Sequence, residues 1–445
     1  MKTMRWVLSA LLCATIAHAT VNYPGSVAQP VQNLEHYLEY LFDDAMDFVC
    51  TESGREIRCV EKDFNRTETD ENNATVQTRF ERLELFFDKS VLPYFEKVSF
   101  DAAMAEYRAA EKVREKERAG GKKVPKPVPT PLKDAMDRAL WSKLDKMVLK
   151  NLRVDVSKPK AHTAVGEIVY ENAMKTSDGN ASYSERVFGT MSLRYKDFVA
   201  VSEDAADSAY VTLAHRLESW LETNDTVRAD YVGKRLQQIY ADRMTSPSSG
   251  SLILATAYRG EDTLSLKIHA VGNNARGDRS LFSFDSEVHR LSSLIPPKEK
   301  DGQAKGKEQG GMPDFLFLSM DFNSTIHNGK YRDLLKNDSR FRGYIMEYDR
   351  LIGAHYDDAV KTYGQNPVVA KWFKGAKEAL SKMIRAEAER FGVSVRNRTG
   401  ATAMQLVGMV IGQLAVMGKK GTDAQKEKII LDTAAQHLDI RIEAK

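Results

Sequence analysis

Apolar and polar residues alternate strictly over the middle of the chain. Leu264, Leu266, Ile268 and Ala270 fall on one parity, Ser265, Lys267 and His269 on the other. Phe282, Phe284 and Val288 oppose Ser283, Asp285, Glu287 and His289, and Leu316, Leu318, Met320, Phe322 and Ile326 share one face of a further run. Residues 187–201 alternate in the same way. A period of two with one polar face predicts half-buried antiparallel strands. Elsewhere the period lengthens. Leu213, Leu217, Trp220 and Leu221 form one stripe, and Tyr231, Leu236, Ile239 and Tyr240 a second. Phe341, Tyr344, Ile345, Tyr348, Ile352, Tyr356, Ala359, Val360 and Tyr363 form a third, and all three predict amphipathic helices. Strands interrupted by helices predict an α+β fold: an antiparallel, curved sheet with helices on its apolar face, plus a helical N-terminal region.

The C-terminal pattern differs. Gly392–Arg396 reads as a short strand and His437–Glu443 as a closing one. Between them Thr402–Met417 is a helix apolar nearly all round, with Gln405 and Gln413 as its strong polar interruptions. Such a helix has to be covered on most sides. It is shorter than the ~20 residues a membrane span needs, so the expectation is a core helix cradled by the sheet. Gly408 and Gly412 add a small-residue groove, and Leu406, Gly408, Val410 and Gly412 are the candidate lining of an apolar ligand groove. A G-x-x-x-G membrane dimer helix is the competing reading.

Two segments read as linkers. Residues 119–132 carry Gly120-Gly121 and then Pro125, Pro127, Pro129 and Pro131, which favour an extended spacer. Residues 296–313 are rich in Lys, Glu, Gly and Gln and bury little. They set off regions 20–118, 133–295 and 314–445, or else are loops inside one domain. The charged stretch 101–118 predicts a solvated helix laced with ion pairs, or a docking arm for a partner.

The first nineteen residues read as a cleaved signal peptide. Lys2 and Arg5 precede an apolar run, and Ala17-His18-Ala19 is a small-x-small cleavage site. The residue before Cys13 is Leu12, which does not fit a lipoprotein site. Cleavage leaves Cys50 and Cys59, on β-type runs flanking the turn signal Ser53-Gly54. A cross-strand disulfide in an oxidising compartment fits this spacing better than metal or redox chemistry.

The chain holds seven N-x-S/T sequons, and five have an acidic residue two positions upstream: Asn65, Asn73, Asn180, Asn224 and Asn323, after Asp63, Glu71, Asp178, Glu222 and Asp321. Asn337 and Asn397 lack it. Asp and Glu total 62 of 445 residues, so about one such match in seven is expected by chance. The pattern resembles the D/E-x-N-x-S/T acceptor of bacterial PglB-type oligosaccharyltransferases, which implies an N-glycoprotein of the periplasm. A eukaryotic secreted glycoprotein is the alternative. The strand, apolar helix and closing strand of the last fifty residues resemble the C-terminal regions of AsmA-like and YdgA-like periplasmic proteins. That resemblance implies lipid handling in the envelope and assigns no residues.

Composition narrows the function classes. Apolar residues make up 42%, charged residues 29%, and the formal charge is +3, so neither a disordered chain nor a basic nucleic-acid binder is expected. There is no H-E-x-x-H, G-x-S-x-G, Walker A, G-x-G-x-x-G or C-x-x-C motif. His269, His289 and His327, with Asp285, Glu287 and Asp321, form a metal or hydrolase site only if their strands bring them together. The expected function is a non-enzymatic envelope protein without metal or cofactor, binding lipid or an envelope protein, with peripheral membrane contact. The alternatives are a hydrolase using the His/carboxylate cluster and a structural or adhesive protein docking through residues 101–118.

Overall fold

The computed structural model describes residues 27–42, 46–69, 73–119, 129–158, 160–173, 189–202, 209–258, 263–289, 316–417 and 421–445. The described residues of Met1–Thr176 and Ser192–Ala205 form one compact unit, and those of Ser177–Met191 and Ala206–Lys445 a second. Both combine helices with strands that pair antiparallel to their neighbours in the chain, so the protein is α+β.

The first unit runs α1 (Pro30–Leu41), β1 (Val49–Ser53), β2 (Glu56–Thr69), β3 (Thr75–Asp88), a 3-10 turn (Lys89–Phe95), α2 (Lys97–Ala119), α3 (Pro131–Ser142), β4 (Leu144–Ser157), β5 (Lys160–Asn172) and β6 (Gly189–Ser202). Its core joins Leu34, Tyr37 and Leu38 of α1, Phe100 and Met104 of α2 and Met136 and Leu140 of α3 to Ile57, Cys59, Leu83, Leu85 and Phe87 of the sheet. Two expectations are corrected here. The N-terminal region holds, beside the expected hairpin and helix, a longer β2 and a third strand, β3, and it shares its core with β4 and β5 beyond the first linker. The charged helix is no free arm, because Phe100, Ala103, Met104 and Ala110 are buried, while Val98, Asp101, Arg108, Lys112 and Val113 lie on its exposed side. Residues 120–128 of the proline-rich segment lie outside the described residues, but both flanking helices belong to this unit. The Glu106 carboxylate accepts the Leu132 and Lys133 amides at the start of α3.

Cys50 stands directly opposite Cys59 on β1 and β2, and the two form a disulfide. Gly54, with φ +57°, supplies the left-handed residue that a tight hairpin needs. Closing so short a loop contributes roughly 2–3 kcal/mol through the unfolded state. The double variant Cys50→Ser/Cys59→Ser is therefore expected to lower stability by that amount, read by urea denaturation, with the fold retained.

A crease crosses the strands of this unit. Asp63, Asn151 and Asp197, on β2, β4 and β6, adopt left-handed backbone with φ of 55°, 53° and 54°. Asn and Asp tolerate that region best among non-glycine residues. The pairing passes from Lys62↔Arg82 to Phe64↔Phe80 and from Lys150↔Glu167 to Leu152↔Val165. Asn151 donates to the Glu81 carboxylate at the crease, and a Cβ on Gly166 would come within 3.0 Å of the Asp197 carboxylate. The buried parity switches there: Cys59 then Phe64, Phe80 then Leu83, Leu149 then Leu152, Val165 then Ile168.

The second unit contains α4 (Ala209–Trp220), α5 (Thr226–Thr245), β7 (Ser248–Tyr258), β8 (Leu264–Asn274), β9 (Arg279–His289), β10 (Leu316–His327), α6 (Gly329–Asn337), α7 (Ser339–Tyr363), α8 (Pro367–Ile384), β11 (Arg390–Asn397), α9 (Ala403–Met417), α10 (Asp423–His437) and β12 (Leu438–Ala444). Its main core lies among helices: Val232, Leu335, Phe341, Ile345 and Tyr348, with Leu217 and Leu221 against them. The stripe on α4 divides, since Leu213 and Trp220 are exposed. Gly233 lets α5 approach α4, because a Cβ there would meet the Val211 Cα at 2.6 Å. A smaller core of Val369, Trp372 and Ala435 takes in Ile440 of β12. Helix α8 comes close to that strand, with the Gly375 Cβ position 3.2 Å from the Ile442 carbonyl oxygen. Such cover protects a sheet edge from further pairing.

Candidate functional site

In antiparallel strands, residues directly opposite share a face. The register of β7–β12 therefore lines up Leu254, Ile268, Phe284, Phe322, Val393 and Ile442 as one apolar row. The five strand spacings carry it about 24 Å across the sheet. A row on one side adds Leu252, Ala270, Phe282 and Phe391, and one on the other adds Leu266, Met320, Val395 and Ile440. Phe322 lies 5.4 Å from Phe282 and 6.4 Å from Phe391, centroid to centroid, both edge to face.

At β11 and β12 this face meets the core: Val395 is buried and Ile440 packs with Val369 and Trp372. Over β8 to β10 the apolar side chains of the face stay partly open. Leu266, Ile268, Phe282, Phe284, Met320 and Phe322 are all half-buried, and Leu252 on β7 is exposed. The first unit buries the corresponding positions of its sheet under three helices, whereas here the helices form their own core.

The opposite face is mostly polar, with Ile253, Val271 and Leu281 as exceptions. Lys267 lies 3.6 Å from Asp285, and Arg396 donates to Asp321 at 2.6 Å, holding that carboxyl below its ordinary range. A bulge between Phe317 and Ser319 corrects one strand reading. Phe317 pairs with Val288 on the apolar side, and Leu316 falls opposite His289.

The three histidines do not converge, which removes the His/carboxylate site. His269 opposes Ser283 in mid-sheet, about 20 Å along β9 from His289. His327 opposes Arg279 at the far end of β9 from His289, about 33 Å away along the strand. Its Nδ1 lies 2.8 Å from Glu389 instead. Among the described residues no group of His, Cys, Asp and Glu is placed to hold a metal ion.

Helix α9 departs most from expectation: none of its residues is buried. It is capped by Thr402 and Gln405, each side chain bonded to the other's amide, which accounts for one of its two glutamines. The helix packs against α10, and Leu406, Met409, Val410, Leu414 and Met417 are half-buried on one side of it. Met404, Val407, Gly408, Ile411 and Ala415 are exposed on the other side. The four candidate groove residues therefore do not line one groove. Leu406 and Val410 are on the half-buried side, whereas Gly408 and Gly412 are exposed, with nothing within 4 Å of a Cβ. Among the described residues, no helix is long and apolar enough to cross a membrane.

The sequons occupy different settings. Asn73 and Asn224 are exposed in left-handed turns, with φ of 55° and 50°. Asn65 is exposed on β2. Asn323 lies on the polar face of β10, paired on both sides, with its Oδ1 accepting from Arg390 at 2.8 Å. Asn397, which lacks the acidic residue, donates to the Phe317 and Ala401 carbonyls and holds the turn before α9. Asn180 lies outside the described residues. No family model matches the chain, and no curated protein matches it.

Proposed function

We propose that the chain is a non-enzymatic, exported glycoprotein of the bacterial periplasm whose second unit binds a lipid or another apolar ligand. The observation that carries this is the face of β7–β10, where Ile268, Phe282, Phe284 and Phe322 line a broad apolar surface without being buried. An acyl chain laid there gains about 0.8 kcal/mol for each methylene taken out of water. The core at β12 closes one end and gives the ligand a stop. The signal peptide, the disulfide and the acidic sequons support the compartment. Exposed Leu213 and Trp220 on α4 favour an envelope protein partner as a second reading, since tryptophan is common at binding hot spots.

The test is displacement of a fluorescent fatty acid by the wild-type chain and by Ile268→Asp/Phe284→Asp. Saturable binding that the double variant loses supports the reading. Equal binding by both proteins, or none by either, sinks it.

Glycan placement gives a separate expectation. Acceptors belong on surface loops, so peptide mass spectrometry of protein from a glycosylating host should find Asn73 and Asn224 well occupied and Asn323 sparsely so. Full occupancy at Asn323 contradicts modification of the folded chain.

A further inference from the structure

We infer that α9 docks the protein on a lipid bilayer, with its uncovered face lying in the interface. The inference rests on the envelope reading above but not on the sheet-face ligand. Helix α9 is fifteen residues long and carries no charge. Helices apolar all round are found in protein cores or in membranes, and α9 is not in a core. One side is half-buried; the other presents Met404, Val407, Ile411 and Ala415, with Val416 beside them 90% exposed.

Size identifies the occupant. The helix is about 22 Å long, and its free face covers roughly 200 Å². A stable protein partner or a second copy needs about 800 Å² on each side, with a polar rim and anchoring aromatic or arginine side chains. This face has none of these. A bilayer asks for neither shape complementarity nor a rim. The hydrocarbon core is ~30 Å thick, so a helix of this length lies along the surface, as interfacial helices do. The half-buried side takes the place of their usual polar face.

The experiment is flotation of the full mature chain with phosphatidylethanolamine–phosphatidylglycerol vesicles, without detergent. Wild type is expected to float. Val407→Lys/Ile411→Lys should reduce the floated fraction about tenfold, with an unchanged circular dichroism spectrum and melting curve, because both side chains are already exposed. Ile411→Cys carrying an environment-sensitive dye should shift to the blue on vesicles, and Ala424→Cys on α10 should not. Ile268→Asp/Phe284→Asp should float like wild type, so loss of the sheet-face reading leaves this result standing. The inference is overturned if wild type stays with the soluble fraction. It is equally overturned if wild type is a dimer in solution that Val407→Lys/Ile411→Lys converts to monomer.

Discussion

Replacing Glu218 by glutamine is expected to destabilise the second unit by about 3–5 kcal/mol, the usual loss when one partner of a buried ion pair is removed. Glu218 is 1% exposed, and the Arg228 side chain 7%. The guanidinium donates to the two carboxylate oxygens at 2.6 and 2.8 Å, and lies 5.0 Å from the Tyr348 ring centroid in the helical core. Thr223 and the Asp225 amide complete the carboxylate's bonds. Glutamine keeps the shape but takes from Arg228 its bidentate counter-ion and leaves the buried charge only the half-exposed Glu347 carboxylate, 3.8 Å away. Burial alone would raise the Glu218 carboxyl. The hydrogen bonds from Arg228, Thr223 and the Asp225 amide outweigh burial and hold it at about 2. A depressed folded-state value means the contribution is present above the ordinary carboxylate range and is lost as pH falls through about 2. Urea unfolding from pH 7 downward should show wild type losing its margin over Glu218→Gln in that window. A difference below about 1 kcal/mol at pH 7 would mean the pair behaves as a solvated one.

Phe100→Ala should cost about 3–5 kcal/mol, the range for emptying a buried phenylalanine site. Phe100 is wholly buried on α2, 6.1 Å from the Tyr37 ring in a T-shaped contact and 6.2 Å from Phe95. A charge change at Lys112, an exposed position of the same helix, should stay within about 0.5 kcal/mol. Denaturation of the two variants separates a core helix from a docking arm. If Phe100→Ala keeps wild-type stability, α2 does not belong to the core of the first unit.

The strands of the second unit were legible because their parity holds from end to end: Leu264, Leu266, Ile268 and Ala270 point one way and Ser265, Lys267 and His269 the other. The break between Phe317 and Ser319 moves Leu316 off the apolar side and Phe317 onto it, and leaves Leu318 in the bulge. In the first unit β6 and the hairpin at the disulfide were legible, whereas β3, β4, β5 and the far half of β2 hid for a physical reason. On β2 the buried positions Ile57, Cys59 and Glu61 are followed by Phe64, where an unbroken alternation would bury Asp63. A period-two reading therefore fails midway. The outer face of β2 is also charged, as at Arg58 and Lys62. The disulfide was legible because two cysteines flanked a turn signal. Helix α9 misled because an apolar sequence says that a surface must be covered, and not by what. The apolar face of β7–β10 was present as separate alternating runs. Only the register shows that Leu254, Ile268, Phe284 and Phe322 form one row, and only the packing shows that, among the described residues, Ile268, Phe284 and Phe322 stay half-buried outside the helical core.

The most direct test of ligand binding is native mass spectrometry of the protein purified without detergent from its glycosylating host. The account predicts a lipid adduct at defined stoichiometry that disappears in Ile268→Asp/Phe284→Asp. A bare glycoprotein mass, unchanged when fatty acid or phospholipid is added, would contradict it.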